Sequence, residues 1–399
     1  MVDDLPNGDK VKTDLVMFQD HLSGTMPFEI VLDVKNKRNR FRRNVLEKID
    51  SVQRYLESYP VVSRTTSLVD ALKFVNQSVI YKGAPSDYQI PETKYLRKIA
   101  RKLEEDTITT VGISLNMFMD SSGTKTRITS QIYDMGVDKL DSLIEKVKPE
   151  VDEILNPDKK EISRILAKIE STEKEESEAY LDSLLAEFPY IEFAYLAHLR
   201  EINSDKYDEY DMNGLNYQEI VSTDLKGLNA AIDYTYIGNQ VTGFTVPFAK
   251  GTKYLIINLL ISLMFAIIGI ALLMAFLFRS FWIVLISIIS NIIPLLFTAG
   301  LMGYFGVDLK PSTILVFSIS LGIAVDDAIH FLAKFKQELK LHNKDIGVAV
   351  YNALRETGVS MFYTSIILFF GFSIFIASSY GGTQALGILV SITLLVAML

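Results

Sequence analysis

The chain has 399 residues, of which 49% are hydrophobic; 40 Lys and Arg stand against 48 Asp and Glu for a formal net charge of −8, and there is no Cys. Lack of cysteine excludes disulfides, zinc–thiolate sites and thiol nucleophiles, and His21, His198, His330 and His342 show no metal-ligand spacing. The acidic balance argues against a nucleic-acid surface, so no nucleic-acid partner is expected.

The charge is unevenly placed. From Lys253 onward eight basic and six acidic residues give +2, which leaves −10 for residues 1–252. That first part is long enough for a folded module of one or two domains. Its opening, MVDDLPNGDKVKTD, has no apolar core and reads neither as a signal peptide nor as an anchor.

Phe28, Ile30, Leu32 and Val34 alternate through PFEIVLDV, as a half-buried strand requires. Val45, Ile49, Val52 and Leu56 then fall on one face of a helix that Pro60 ends. A second strand is expected from Val61, and Ser67 with Asp70 resembles a capping box for a further helix. Together these give a βαβ pattern. A second unit reads as a strand over 126–132, a helix bearing Leu140, Ile144, Val147, Val151 and Ile154, and a closing strand YTYIGNQV over 234–241. Between them, residues 157–229 form a charged stretch that includes STEKEESEAY. It reads as a solvated helical insertion, with a docking arm for a partner subunit as the alternative. GTKT at residues 123–126 only imitates a phosphate loop, because Phe118 takes the place of the first glycine and Thr124 separates Gly123 from Lys125. Nothing suggests an enzyme.

Five long apolar segments follow, near 254–278, 281–305, 312–333, 359–378 and 384–399. At about 1.5 Å per residue, the first exceeds a hydrocarbon core of roughly 30 Å. The chain therefore divides into a module over 1–252 and a transmembrane domain over 253–399. The fifth segment reads as a span cut short. Arg279, Lys334, Lys336, Lys340, Lys344 and Arg355 lie in the first and third connections, which the positive-inside rule places in the cytoplasm. Residues 1–252 are then extracytoplasmic on a multi-pass protein of the plasma (inner) membrane, with a further membrane half expected before them. Trp282 beside Arg279 reads as an interface anchor.

Asp326 and Asp327 stand in the apolar run 312–333, which holds no Lys or Arg. An Asp at the centre of a membrane helix costs about 2.5–3.5 kcal/mol on insertion scales, so the pair points to use. Ser318, Gly322, Asp326 and His330 recur every four residues and share one helix face, while His330 is also three from Asp327. Two carboxylates this close in low dielectric do not both ionise without compensation, so one holds a proton near neutral pH. The alternative is a static polar cluster, with Asn291, Ser360, Thr364 and Ser365 as partners on neighbouring spans. Gly322 is expected to allow close helix packing.

GIAVDDAIHF, residues 322–331, closely resembles the proton-relay helix of the resistance-nodulation-division (RND) superfamily, and most of all the MMPL branch of lipid and hydrophobe exporters, relatives of the patched and sterol-sensing proteins. SNIIPLLFTAGLMGYFG at 290–306 is similar to that branch's preceding span, TSIILFFGF at 364–372 to the following one, and PFEIVLDV to the opening of its porter domain. The resemblance implies a mixed membrane protein: an extracytoplasmic α/β porter domain of ferredoxin-like βαβ units on an all-α bundle, forming the C-terminal half of a transporter. It implies export of a hydrophobic or amphiphilic molecule, such as a lipid, driven by the proton motive force. Asp326 and Asp327 become the relay, with Asn291, His330, Thr364 and Ser365 as a supporting polar path. Protons are the coupling ion and no cofactor is expected. The implied partners are the N-terminal half with its own acidic helix, membrane lipids, and either further copies of the chain or a periplasmic adaptor. A sterol-sensing-like sensor or scaffold and an accessory subunit of protein export are the rival readings.

Overall fold

In a computed structural model, the described residues are 5–6, 8–22, 24–81, 83–104, 117–172, 174–202 and 225–398. They fall into two compact units, one over residues 18–247 and the other comprising the segment up to Met17 with residues 248–399. After helix α1 (Lys10–Leu22), the first unit runs β1 (Met26–Asp33), α2 (Arg43–Glu57), α3 (Leu68–Val75), α4 (Thr93–Glu104), β2 (Lys125–Ile132) and α5 (Val137–Leu155). It continues with α6 (Lys159–Ser171), α7 (Lys174–Glu187), α8 (Tyr190–Ile202), α9 (Leu225–Thr235) and β3 (Gly238–Thr242).

The strands form one antiparallel sheet in the order β2-β1-β3, with Ile30 opposite Ile128 on one side and Val241 on the other. Alternation places Phe28, Ile30 and Leu32 on the buried face of the sheet, where α5 packs against β3 and α2. Burying an Ile or Leu side chain stabilises by about 1.5–3 kcal/mol, and this layer contains Ile30, Leu32, Leu46, Ile49, Leu56, Ile128 and Ile132, all at most 1% exposed. On α5 the buried face is Leu140, Leu143, Val147, Val151 and Leu155, and the expected Ile144 and Ile154 are only half-buried. Spacings of three and four are equivalent on a helix, so the stripe turned by one position where two apolar residues adjoin.

The second expected strand is not a regular one. Val62 and Thr66 make single bridges to Ile132 and Thr129 of β2. Ser63 N–H donates to Gln131 O and Thr66 exchanges backbone bonds with Thr129, but side chains interrupt the ladder: Thr65 N–H donates to Glu57 Oε1 at 2.8 Å, and Gln131 N–H of β2 donates to Ser63 Oγ at 2.8 Å. These two side-chain bonds take backbone N–H groups out of the ladder and leave the pairing partial. The segment still runs antiparallel to β2, and so parallel to β1 with β2 between them. The capping box is present: Ser67 Oγ accepts from Val69 N–H and Asp70 Oδ2 from Ser67 N–H.

The closing strand is also shorter than expected, since Tyr234 and Thr235 complete α9 and only residues 238–242 pair with β1. Asn156 takes the place of a strand neighbour just before it, accepting from Ile237 N–H at 2.9 Å and donating to Ile237 O at 3.0 Å. Gly243 follows at φ +98°, where a Cβ would lie 2.7 Å from Pro27 O, so this turn requires glycine.

The expected solvated insertion over 157–229 has its own core, which corrects that expectation. Ile162 and Ile169 of α6, Leu181 and Leu184 of α7, Ile191 and Tyr195 of α8, and Leu228 and Ile232 of α9 form one buried cluster. Charged residues between them hide a sparse apolar stripe that only tertiary packing brings together. Residues 203–224 of that stretch lie outside the described residues.

Five further helices are long and apolar enough to cross a membrane: α10 (Thr245–Phe278), α11 (Phe281–Phe305), α12 (Pro311–Leu341), α13 (Ile346–Ser373) and α14 (Gly381–Met398). Their outer faces are apolar; Phe276, Tyr304 and Phe281 are 82%, 84% and 74% exposed, a surface that water-soluble proteins rarely present. The chain is a multi-pass membrane protein. Three helices run past the apolar segments expected from sequence: α10 starts nearer its N-terminus, α12 continues to Leu341, and α13 starts at Ile346. Hydropathy marks only the part in hydrocarbon, whereas these helices extend on through polar residues. Thus most of the expected third connection is helical, and only residues 342–345 join α12 to α13. Asp345 accepts from Val348 N–H to cap α13, and Gly306 at φ +65° ends α11. For the fifth helix, Leu399 lies outside the described residues.

Candidate functional site

The middle of α12 is shaped by which faces its neighbours cover. Leu321 and Val325 pack with Leu295 of α11 and with Leu263, Ile267 and Ile270 of α10. Val316 packs with Leu389, Val390 and Leu394 of α14. The helix is thus enclosed on two sides, and the aspartates fall at the margins of that enclosure.

Asp327 is half-buried, and its carboxylate lies near the Ser365 hydroxyl on α13, with Asp326 and His330 as its titratable neighbours. Ser365 is itself buried. Asp326 points elsewhere. Its side chain is 73% exposed and that of His330 is 70% exposed, with His330 Nε2 3.6 Å from Asp326 Oδ1. Gly322 lies on the same outward stripe, and among the described residues nothing comes within 4 Å of where its Cβ would stand. The close helix packing expected at Gly322 therefore has no partner among the described residues. Consecutive residues on a helix are about 100° apart, so one aspartate faces its own bundle while the other faces out of it.

The remaining expected residues are not gathered at this point. Asn291 is buried on α11, where it lines a small cleft with Ile267, Ile288, Leu321 and Val325. Val325 and Asp327 are about 200° apart around α12, so the cleft is on the far side of that helix from the Asp327 carboxylate. Thr364 is exposed, and its hydroxyl donates to Ser360 O at 3.1 Å and Met361 O at 2.9 Å within α13. It satisfies itself locally, as threonine in a helix commonly does.

Sequence reading missed several intramembrane polar contacts. Thr298 of α11 and Thr393 of α14 are fully buried with hydroxyls 2.5 Å apart, and Ser373 of α13 lies 3.2 Å from Ser391 of α14. Ser320, seven residues before Asp327 and so on its face, is buried with a hydroxyl that has no hydrogen-bond partner among the described residues. A polar cluster also joins α12 and α13 near Glu338, and the Lys334/Glu338 spacing of four was its legible signal. Among the described residues, no group of His, Asp and Glu could hold a metal ion.

The pair thus presents one carboxylate toward α13 and a second, about 100° away, on the exposed face of α12. Residues 230–399 match the model of the MMPL family. MMPL proteins are transporters, not enzymes. The match takes in α10 to α14 with both aspartates, while PFEIVLDV and the rest of residues 1–229 lie outside it. No curated protein matches the chain.

Proposed function

We propose that the chain is the C-terminal half of an RND-type exporter in which Asp326 and Asp327 form the proton relay. The carrying observation is their divergent placement: Asp327 is turned toward Ser365 of α13, and Asp326 lies on an outward stripe with Gly322 and His330. An aspartate left facing lipid at mid-membrane costs about 2.5–3.5 kcal/mol, so this stripe calls for cover by a second membrane segment. The N-terminal half of an MMPL transporter, with its own acidic helix, is the cover the reading assigns. Each proton moved across 100 mV supplies about 2.3 kcal/mol, enough for a few protons to drive a conformational cycle.

The basic residues at the Leu341 end of α12 favour a cytoplasmic location for that end, in the inner membrane, with residues 18–247 outside. A ferredoxin-like reading of those residues is supported by the run of residues 61–66 parallel to β1 with β2 between, the split βαβ arrangement. This module handles a hydrophobic or amphiphilic substrate, such as a lipid, and further copies or a periplasmic adaptor complete the assembly. Protons serve as the coupling ion and no cofactor is used. In the two-half transporter, Asp326→Asn with Asp327→Asn abolishes export while membrane insertion stays normal. Export at the parental rate in that variant would sink the reading.

A further inference from the structure

Beyond the aspartates, the polar contact between α12 and α13 continues toward the Leu341 end. Glu338 is the anomaly there: its side chain is 6% exposed, although it is a carboxylate near a helix end. It is fully served by its surroundings. Lys334 Nζ lies 3.1 Å from Glu338 Oε1, Asn352 Nδ2 of α13 donates to Glu338 Oε2 at 3.2 Å, and His342 Nδ1 lies 3.5 Å from the same oxygen. Lys334 reaches across as well, 2.5 Å from Glu356 Oε2 of α13. On the other flank, Lys336 Nζ donates to Leu277 O in the last turn of α10 at 2.7 Å, where a cation also suits the helix dipole.

Apolar packing contributes little at this end of α13. Its buried residues before Ser365 are Ala349 and Ala353, while Ile346, Tyr351 and Leu354 are exposed. Two alanines offer little area, so the polar contacts carry the join. The pairs Glu338–Asn352, Lys334–Glu356 and Asp327–Ser365 follow one antiparallel register along the two helices. Removing one member of a buried, hydrogen-bonded ion pair leaves an uncompensated group, which makes such a join discriminating as well as adhesive.

We infer that Glu338 is a positioning residue: with Lys334, Asn352 and Glu356 it clamps α13 to α12 in the register that holds Ser365 against Asp327. The relevance of this clamp to transport rests on the relay reading, but its existence does not. The chain has no cysteine, so Ser365→Cys provides a single reporter thiol. In inside-out vesicles carrying the full chain, a membrane-impermeant maleimide reads how often the α12–α13 contact opens toward the side that holds the clamp. Adding Glu338→Gln raises the labelling rate at position 365 about tenfold, and Glu338→Asp, which keeps the charge, stays within about twofold of the parent. A Thr298→Cys reporter at the α11–α14 contact keeps its rate in all three backgrounds. If Glu338→Gln fails to accumulate, Asn352→Leu replaces it with the same expected rise. An unchanged rate at 365, an equal rise with Glu338→Asp, or a parallel rise at 298 would overturn the clamp. None of these outcomes depends on export, so the clamp and the relay fail separately.

Discussion

Residues 18–247 and the five long helices differ most in what they leave exposed. In the sheet unit, the largest fully buried side chains include Phe28, Ile30, Leu32, Leu46 and Leu56, with a few buried, hydrogen-bonded polar residues such as Ser67 and Asn156 beside them. In the helical unit, the largest apolar side chains face out, while Asn291, Thr298, Ser320, Ser365, Ser391 and Thr393 are inside. The same physical rule yields both patterns. Water rewards apolar burial, but lipid is as apolar as leucine, so between membrane helices the discriminating contacts are small and polar. Asp326 breaks the second pattern by lying outside, and that exception carries the functional reading.

The largest effect is expected on the outward stripe. Gly322→Leu meets open space in the bundle itself, so insertion and folding remain normal, but the added side chain prevents the N-terminal half from seating. Co-purification of the two halves is then lost, and retention of the complex would show that the stripe faces lipid. Next comes the contrast between the units. Leu32→Ala in the sheet core costs about 2–5 kcal/mol by urea unfolding, whereas Phe276→Ala on α10, 82% exposed, stays within about 0.5 kcal/mol. Equal losses would erase the distinction between a water-driven and a lipid-bathed core. Smaller again, Thr298→Val removes the hydroxyl contact with Thr393 and costs about 0.6 kcal/mol in detergent unfolding.

The smallest effect concerns pH. Burial, with the nearby Asp70 charge and the hydrogen bond to Asp70, pushes the Tyr88 hydroxyl from its ordinary 10.0 up to about 12. The folded state therefore holds this proton more tightly than the unfolded chain does. Its stabilising contribution is complete below pH 10 and is lost as pH rises toward 12. Tyr88→Phe flattens part of that decline in stability measured by circular dichroism; an identical slope in the variant would remove Tyr88 as its source.

Elements with a strong period were legible in sequence. The alternation of Phe28 to Leu32 marked β1, the spacing of Val45 to Leu56 marked α2, and the five apolar runs marked the membrane helices. What escaped were features decided by a partner distant in sequence. Residues 61–66 pair only in part because Glu57 takes the Thr65 N–H and Ser63 Oγ takes the Gln131 N–H of β2, and residues 234–235 are helical, with pairing to β1 beginning only at Gly238. The core of α6 to α9 depends on apolar residues too sparse to stand out among charges. At the site, both aspartates were evident as charges in an apolar run, and the contact of Asp327 with Ser365 joins two of the expected residues. Which aspartate faces inward was not legible, because adjacent residues differ only in how neighbouring helices cover them. Glu338 was not singled out, because the helix continues past the end of the apolar run.

The most direct test of the relay is proton flux itself. Reconstituted into liposomes with a pH-sensitive dye inside, the two-half transporter under an imposed pH gradient passes protons. Asp327→Asn, inserted to the same level, falls to the leak of empty liposomes. Flux in that variant equal to the parent's would contradict the assignment of Asp327 as a proton carrier.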